Sequence, residues 1–105
     1  ASFEVMGITN EIRAKSRLTG PAEAPVLVAN GEIDIVLTLV SELLREPGVQ
    51  FLGPLPPEVQ GYIDFTAGAS IATLAREAAE AFVGYLSTPA FIEALESHGL
   101  EAIGP

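Results

Sequence analysis

The stretch GEIDIVLTLVSELL, Gly31 to Leu44, decides how this chain is read. Its glycine closes a preceding helix. Ile33, Ile35, Val36, Leu37, Leu39 and Val40 then follow with only Asp34 and Thr38 polar between them. Such a run does not alternate, so it predicts a strand covered on both faces in the centre of a parallel sheet. Ser41-Glu42 fall at the carboxyl end of that strand, the end at which open α/β sheets bind ligands. Ser41 to Arg45 reads as a short helical turn.

Upstream, Pro21 suits the first position of a helix, because its missing N–H would be unpaired there in any case. Glu23 suits the positive end of the helix dipole. Pro25 lies within about the first turn, where it costs little but shortens or kinks the helix. Asn30-Gly31 ends the helix in a left-handed conformation. Earlier still, Ile8 and Ile12 mark a short helix within residues 3–14, capped by Thr9 or Asn10, with Arg13 and Lys15 near its end. Ser16 to Thr19 is read as a short strand, and Gly20-Pro21 breaks the chain.

Downstream, Pro47-Gly48 is a turn and Val49 to Leu52 a short strand. Gly53-Pro54-Leu55-Pro56-Pro57 has too few donors for a sheet interior and reads as an extended connector. Tyr62 to about Ala69 alternates as a strand. A helix follows from near Ser70 or Thr73, with Leu74, Ala78, Ala81, Phe82, Tyr85 and Leu86 on one face. Thr88-Pro89 stops it and caps the next helix, whose buried stripe is Phe91, Ile92 and Leu95. His98-Gly99 closes that helix. The expected fold is therefore α/β, a mixed sheet flanked by helices. It is expected to divide into residues 1–58 and 59–105, which form a single compact unit or an oligomer.

The chain has 105 residues, 49% of them hydrophobic, enough for one small globular domain. Five basic residues stand against fourteen acidic ones, a net charge of −9. That balance excludes the basic footprint of a nucleic-acid binder and disfavours an anionic membrane surface. No apolar run approaches the length of a membrane span, and no signal peptide is expected in the sequence as it stands. Without cysteine there are no disulfides and no thiolate metal sites.

Catalytic chemistry finds little support. No serine lies in a Gly-x-Ser-x-Gly elbow, and His98 is accounted for by the helix end on which it sits. Glu93, Glu96, His98 and Glu101 are close in sequence but describe a solvated helix face, so neither a metal nor any other cofactor is expected. The Walker and dinucleotide spacings are missing from the glycine loops. Thr19-Gly20-Pro21-Ala22 leads into a helix and offers backbone N–H groups to an oxyanion. A plain loop-to-helix junction capped by Thr19 explains the same residues. Pro21 removes one donor, and Glu23 adds a like charge.

Several segments in succession resemble the C-terminal half of bacterial extracellular solute-binding proteins of the molybdate type. They are Ala29 to Asp34, Ser41 to Leu44, Pro47-Gly48-Val49, Gly53 to Glu58, Ala81 to Pro89 and Gly99-Leu100. The resemblance implies a lobe of the type II periplasmic binding fold, periplasmic or extracellular. Such a lobe delivers a small solute, often a tetrahedral oxyanion such as molybdate, to the membrane subunits of an ABC transporter. It implies ligand contacts through the backbone of Gly20, Pro21 and Ala22, at position 39, and at Ser41. Leu39 stands where the molybdate branch has a tyrosine, and with the charge of −9 it weighs against an oxyanion. Glu42 is expected to brace the following turn. The resemblance implies a binding protein and not an enzyme. A competing expectation is an interaction domain derived from such a protein, without ligand, whose uncovered apolar faces at Ile35 to Val40 and Phe82 to Leu86 make it a homo-oligomer.

Overall fold

A computed structural model describes residues 2–103, and among these the regular structure is helical. The elements are α1 (Ser2–Val5), α2 (Thr9–Lys15), α3 (Glu23–Ala29), α4 (Val40–Leu43), α5 (Arg76–Tyr85) and α6 (Pro89–Ser97). The chain divides into two units, Ala1–Ile63 and Asp64–Pro105.

The expected α/β fold is corrected by this architecture. No strand occurs among the described residues, neither at Ser16 to Thr19, Ile33 to Val40 and Val49 to Leu52 nor at Tyr62 to Ala69. A strand exists only when its backbone N–H and C=O groups pair with a neighbour. Among the described residues the amides of 35–39 and 61–69 have no backbone partner. The run after Gly31 is covered at Ile33, Val36 and Leu39, whereas Ile35 and Leu37 are 73% and 56% exposed. A repeat of three is that of an extended coil of the polyproline type, not the repeat of two of a strand. Leu39 has the matching backbone angles, φ −62° and ψ 140°.

In the unit Ala1–Ile63, α1 and α2 pack on each other, and the Ser2 hydroxyl donates to the carbonyl of Val59. Arg13 and Lys15 occupy the last turn of α2, as expected from the dipole. Lys15 Nζ pairs with Glu11 Oε1 at 3.0 Å, an exposed pair contributing about 0.3–0.5 kcal/mol. Helix α3 begins at Glu23, two residues after Pro21. Pro25 is its third residue, so the missing N–H interrupts no intrahelical bond, and its ring is buried. The C-terminus is a full Schellman motif. Gly31 adopts φ 78°, its N–H donates to Val28 O at 3.0 Å, and Glu32 N–H donates to Leu27 O at 3.0 Å. Beyond α4, the turn Glu46 to Val49 passes beside the end of α3, so closely that a Cβ on Gly48 would lie 2.6 Å from the Ala29 Cβ.

In the unit Asp64–Pro105, Thr73 Oγ1 accepts from Ala75 N–H just ahead of α5. Leu74 lies before the helix and is fully exposed. The partly covered face of α5 consists of Ala79, Val83 and Leu86, while Phe82 is 62% exposed. For α6 the sequence reading holds in detail. Thr88 Oγ1 accepts from Phe91 N–H at 3.4 Å, with Pro89 in the first turn. Phe91, Ile92 and Leu95 are half-buried, and Phe91 meets Tyr85 edge-on at 5.7 Å between ring centroids. Gly99, at φ 81°, and Leu100 close a second Schellman motif on Glu96 and Leu95.

Candidate functional site

The geometry that leads into α3 begins at Gly20. Glu23 N–H donates to Gly20 O at 3.3 Å, and Ala22 has φ 58° and ψ 7°. A proline at the second position and a positive φ at the third describe a type II turn over Gly20 to Glu23. The third position ordinarily takes glycine, because a Cβ in the left-handed region crowds the backbone. Here Ala22 occupies it.

The same turn decides what the Gly20 amide does. Its N–H donates to Glu23 Oε2 at 2.9 Å. The backbone donor expected to meet an oxyanion therefore holds the chain's own carboxylate, in the manner of the second half of a capping box.

Helix α4 presents the other side. Its first turn is framed by Leu39, whose carbonyl accepts from Glu42 and Leu43 N–H at 3.0 and 3.2 Å. Thr38 Oγ1 donates to Glu42 Oε2 at 2.5 Å, so Glu42 braces the turn as its position suggested. Ser41 is half-buried on α4. Arg45 follows the helix, three residues on from Glu42. Glu46 Oε1 then accepts from Gly48 N–H at 3.2 Å, which fixes that carboxylate against the next turn.

These two walls border a half-open surface cavity of about 220 Å³, lined by Ala22, Pro25 and Val26 on one side and by Glu42, Arg45 and Glu46 on the other. Sites for drug-sized ligands run to about 300–1,000 Å³, so this volume suits a solute of few heavy atoms. Of the five residues singled out from the sequence, Ala22 lines it. Gly20 and Pro21 lie in the turn that delivers Ala22, and Leu39 and Ser41 lie in the segment that delivers Glu42. Pro25, Val26, Arg45 and Glu46 did not stand out as site residues. The available signal was the charge pattern of Ser41 to Glu46, where two carboxylates flank one guanidinium within five residues.

Arg45 is exposed, and among the described residues the ion pairs are Lys15–Glu11 and Arg76–Glu80, so its guanidinium is bound to neither neighbouring carboxylate. Its planar fork is suited to a carboxylate or oxyanion through two parallel hydrogen bonds. His98 sits elsewhere. Its Nδ1–H donates to Ala94 O at 2.8 Å, which ties the ring to the end of α6. No group of three or more metal-ligating side chains converges among the described residues. Nor is any described helix long and apolar enough to cross a membrane.

Comparison with known proteins gives the family of the chain. The family described as bacterial extracellular solute-binding protein matches residues 1–101. An aconitate isomerase from Pseudomonas sp. is 27% identical over 101 residues, which are 96% of this chain and 38% of that protein. The chain thus spans well under half the length of the curated relative. No solved structure matches it. A family match that runs through nearly every residue, α1 to α6 included, places the chain in the bacterial extracellular solute-binding protein family.

Proposed function

We propose that this chain supplies the solute-contacting part of a binding protein that serves an ABC-type uptake system outside the cytoplasmic membrane. The observation that carries the reading is the family match over residues 1–101. The chain would correspond to the later part of such a protein, as its succession of segments from Ala29 to Leu100 suggested. The bound solute carries an anionic group, a carboxylate or a small oxyanion such as molybdate, and Arg45 receives it in the cavity between α3 and α4. The cavity's volume and the unpaired guanidinium support this choice. Aconitate, which appears in the relative's name, is a tricarboxylate and belongs to the same class of anions. The role proposed here is binding, without turnover.

Thermal denaturation in the presence of molybdate, tungstate, sulfate, phosphate, aconitate and simple amino acids tests the reading. A ligand at a hundred times its Kd adds about 2.7 kcal/mol of stability. A stabilisation by one of these solutes supports the proposal, and no shift with any of them defeats it. Interconversion of aconitate isomers by the purified chain would replace binding with catalysis.

A second reading is favoured by one observation. Ile35, Tyr62, Phe65, Ile71 and Phe82 each expose more than half of their surface. Apolar side chains of this size at the surface mark interaction sites, and self-association into a homo-oligomer would cover them. Light scattering that reports a monomer at all concentrations would remove this reading.

A further inference from the structure

Asn30-Gly31 closes α3, and the same pair carries a chemistry of its own. Asparagine is thermolabile. Its carboxamide is attacked most readily when the next residue is glycine, which has no Cβ to shield the backbone nitrogen. The chain has two asparagines, and the other, Asn10, is followed by Glu11. Asn30 is exposed, so water reaches its carboxamide, and a Cβ on Gly31 would meet nothing within 4 Å.

The Schellman motif opposes the attack in two ways. Ring closure requires the Asn30 Cβ and the Gly31 nitrogen to eclipse about the Cα–C bond, and Asn30, at φ −80° and ψ −6°, holds them apart. The Gly31 N–H must also lose its proton, and it is tied to Val28 O at 3.0 Å. The next amide, Glu32 N–H, is held by Leu27 O at 3.0 Å. These are bonds of an exposed helix end, the kind that opens locally without global unfolding.

We propose that Asn30 is a modification site, deamidating spontaneously through opening of the C-terminus of α3. In the open form the Gly31 nitrogen, its proton lost to solvent, bonds to Asn30 Cγ. The Cγ–Nδ2 bond breaks, and ammonia leaves with a proton from water. A second water then hydrolyses the cyclic imide, with no oxidant or reductant required. Cleavage at Cγ leaves an aspartate, and cleavage at the backbone carbonyl leaves an isoaspartate, whose chain runs through Cβ and Cγ. Either product puts a carboxylate at the negative end of the α3 dipole, where it is unfavourable. The isoaspartate also lengthens the backbone by one atom, so Gly31 and Glu32 cannot both keep their Schellman bonds. The modified chain therefore holds the end of α3 less firmly, at the place where the Gly48 turn lies against Ala29. None of this depends on the solute.

The test follows the purified chain at mildly alkaline pH, in buffer and in guanidinium chloride, by mass spectrometry of the peptides that carry Asn30 and Asn10. Conversion at Asn30 is expected in both solutions, tenfold or more slowly in buffer, while Asn10 stays intact. The slowing should match, within threefold, the protection of the Gly31 amide against hydrogen exchange in buffer. In the isolated isoaspartate form the Gly31 and Glu32 amides should lose that protection. Rates within twofold of each other in the two solutions would mean that the helix end is no gate, and would overturn the proposal. So would an Asn30 that remains unconverted in guanidinium chloride, or a slowing far beyond the protection of Gly31, which would place the restraint elsewhere.

Discussion

At the scale of single residues, the candidate site depends on two backbone positions where the side chain is as small as the geometry permits, or larger. Ala22 holds φ 58° in a turn whose third position favours glycine. The left-handed region costs an L-residue about 1–2 kcal/mol, and glycine gives back part of that as entropy in the unfolded chain. Ala22→Gly should therefore stabilise the chain by about 0.5–1 kcal/mol, read as a rise in the denaturation midpoint. Gly48 is the opposite case. A methyl there would meet the Ala29 Cβ at 2.6 Å and the Ala29 Cα at 3.3 Å, and neither atom can rotate away. Gly48→Ala should cost about 1–3 kcal/mol by forcing the turn off the end of α3, measured in the same denaturation experiment. Glu23 shows how a residue legible in the sequence can reverse its meaning. Its negative charge weighed against an anion at Gly20, and in the structure its own carboxylate is the group on that amide.

At the scale of elements, the C-terminal ends of α3 and α6 and the cap of α6 were legible. The cap expected at Thr9 or Asn10 and the starts expected at Pro21 and near Ser70 or Thr73 were not, and no strand forms among the described residues. Thr88-Pro89, His98-Gly99 and Asn30-Gly31 encode caps in a few adjacent residues, and each cap forms where those residues stand. Thr88→Ala should remove the acceptor for Phe91 N–H and cost about 1 kcal/mol, seen as lower helicity and an earlier melt of α6 by circular dichroism. A strand depends on a partner distant in sequence, and an apolar run states only a demand for cover. Ile33 to Val40 makes that demand, but its coverage recurs every third residue and no ladder forms. The face of α5 was misplaced for a related reason. Leu74 was counted into the helix, which begins only at Arg76, and the covered residues are Ala79, Val83 and Leu86 while Phe82 stays exposed. Part of the site was legible through the loop that holds Ala22. Arg45 and Glu46 were not, because their meaning comes from α3 standing opposite them.

At the scale of the whole molecule, each unit is held mainly by local bonds, and no large hydrophobic side chain among the described residues is buried. Stability of this kind is uneven along a chain, with unpaired backbone exchanging its amide protons fastest. Amides of 35–39 and 61–69 should exchange rapidly, while those within α5 and α6 are slower. Protection across Ile35 to Leu39 equal to that of α6 would mean that a sheet exists after all. The family match covers both units, but the cavity, the type II turn and Arg45 all lie in Ala1–Ile63. The functional claim is thus that this unit receives the solute between α3 and α4. Amide chemical-shift mapping with molybdate and aconitate in turn tests it most directly. The account predicts saturable shifts at Ala22, Val26, Glu42, Arg45 and Glu46 with at least one of these solutes. Saturable shifts confined to α5 and α6, or no shifts with any solute, would contradict it.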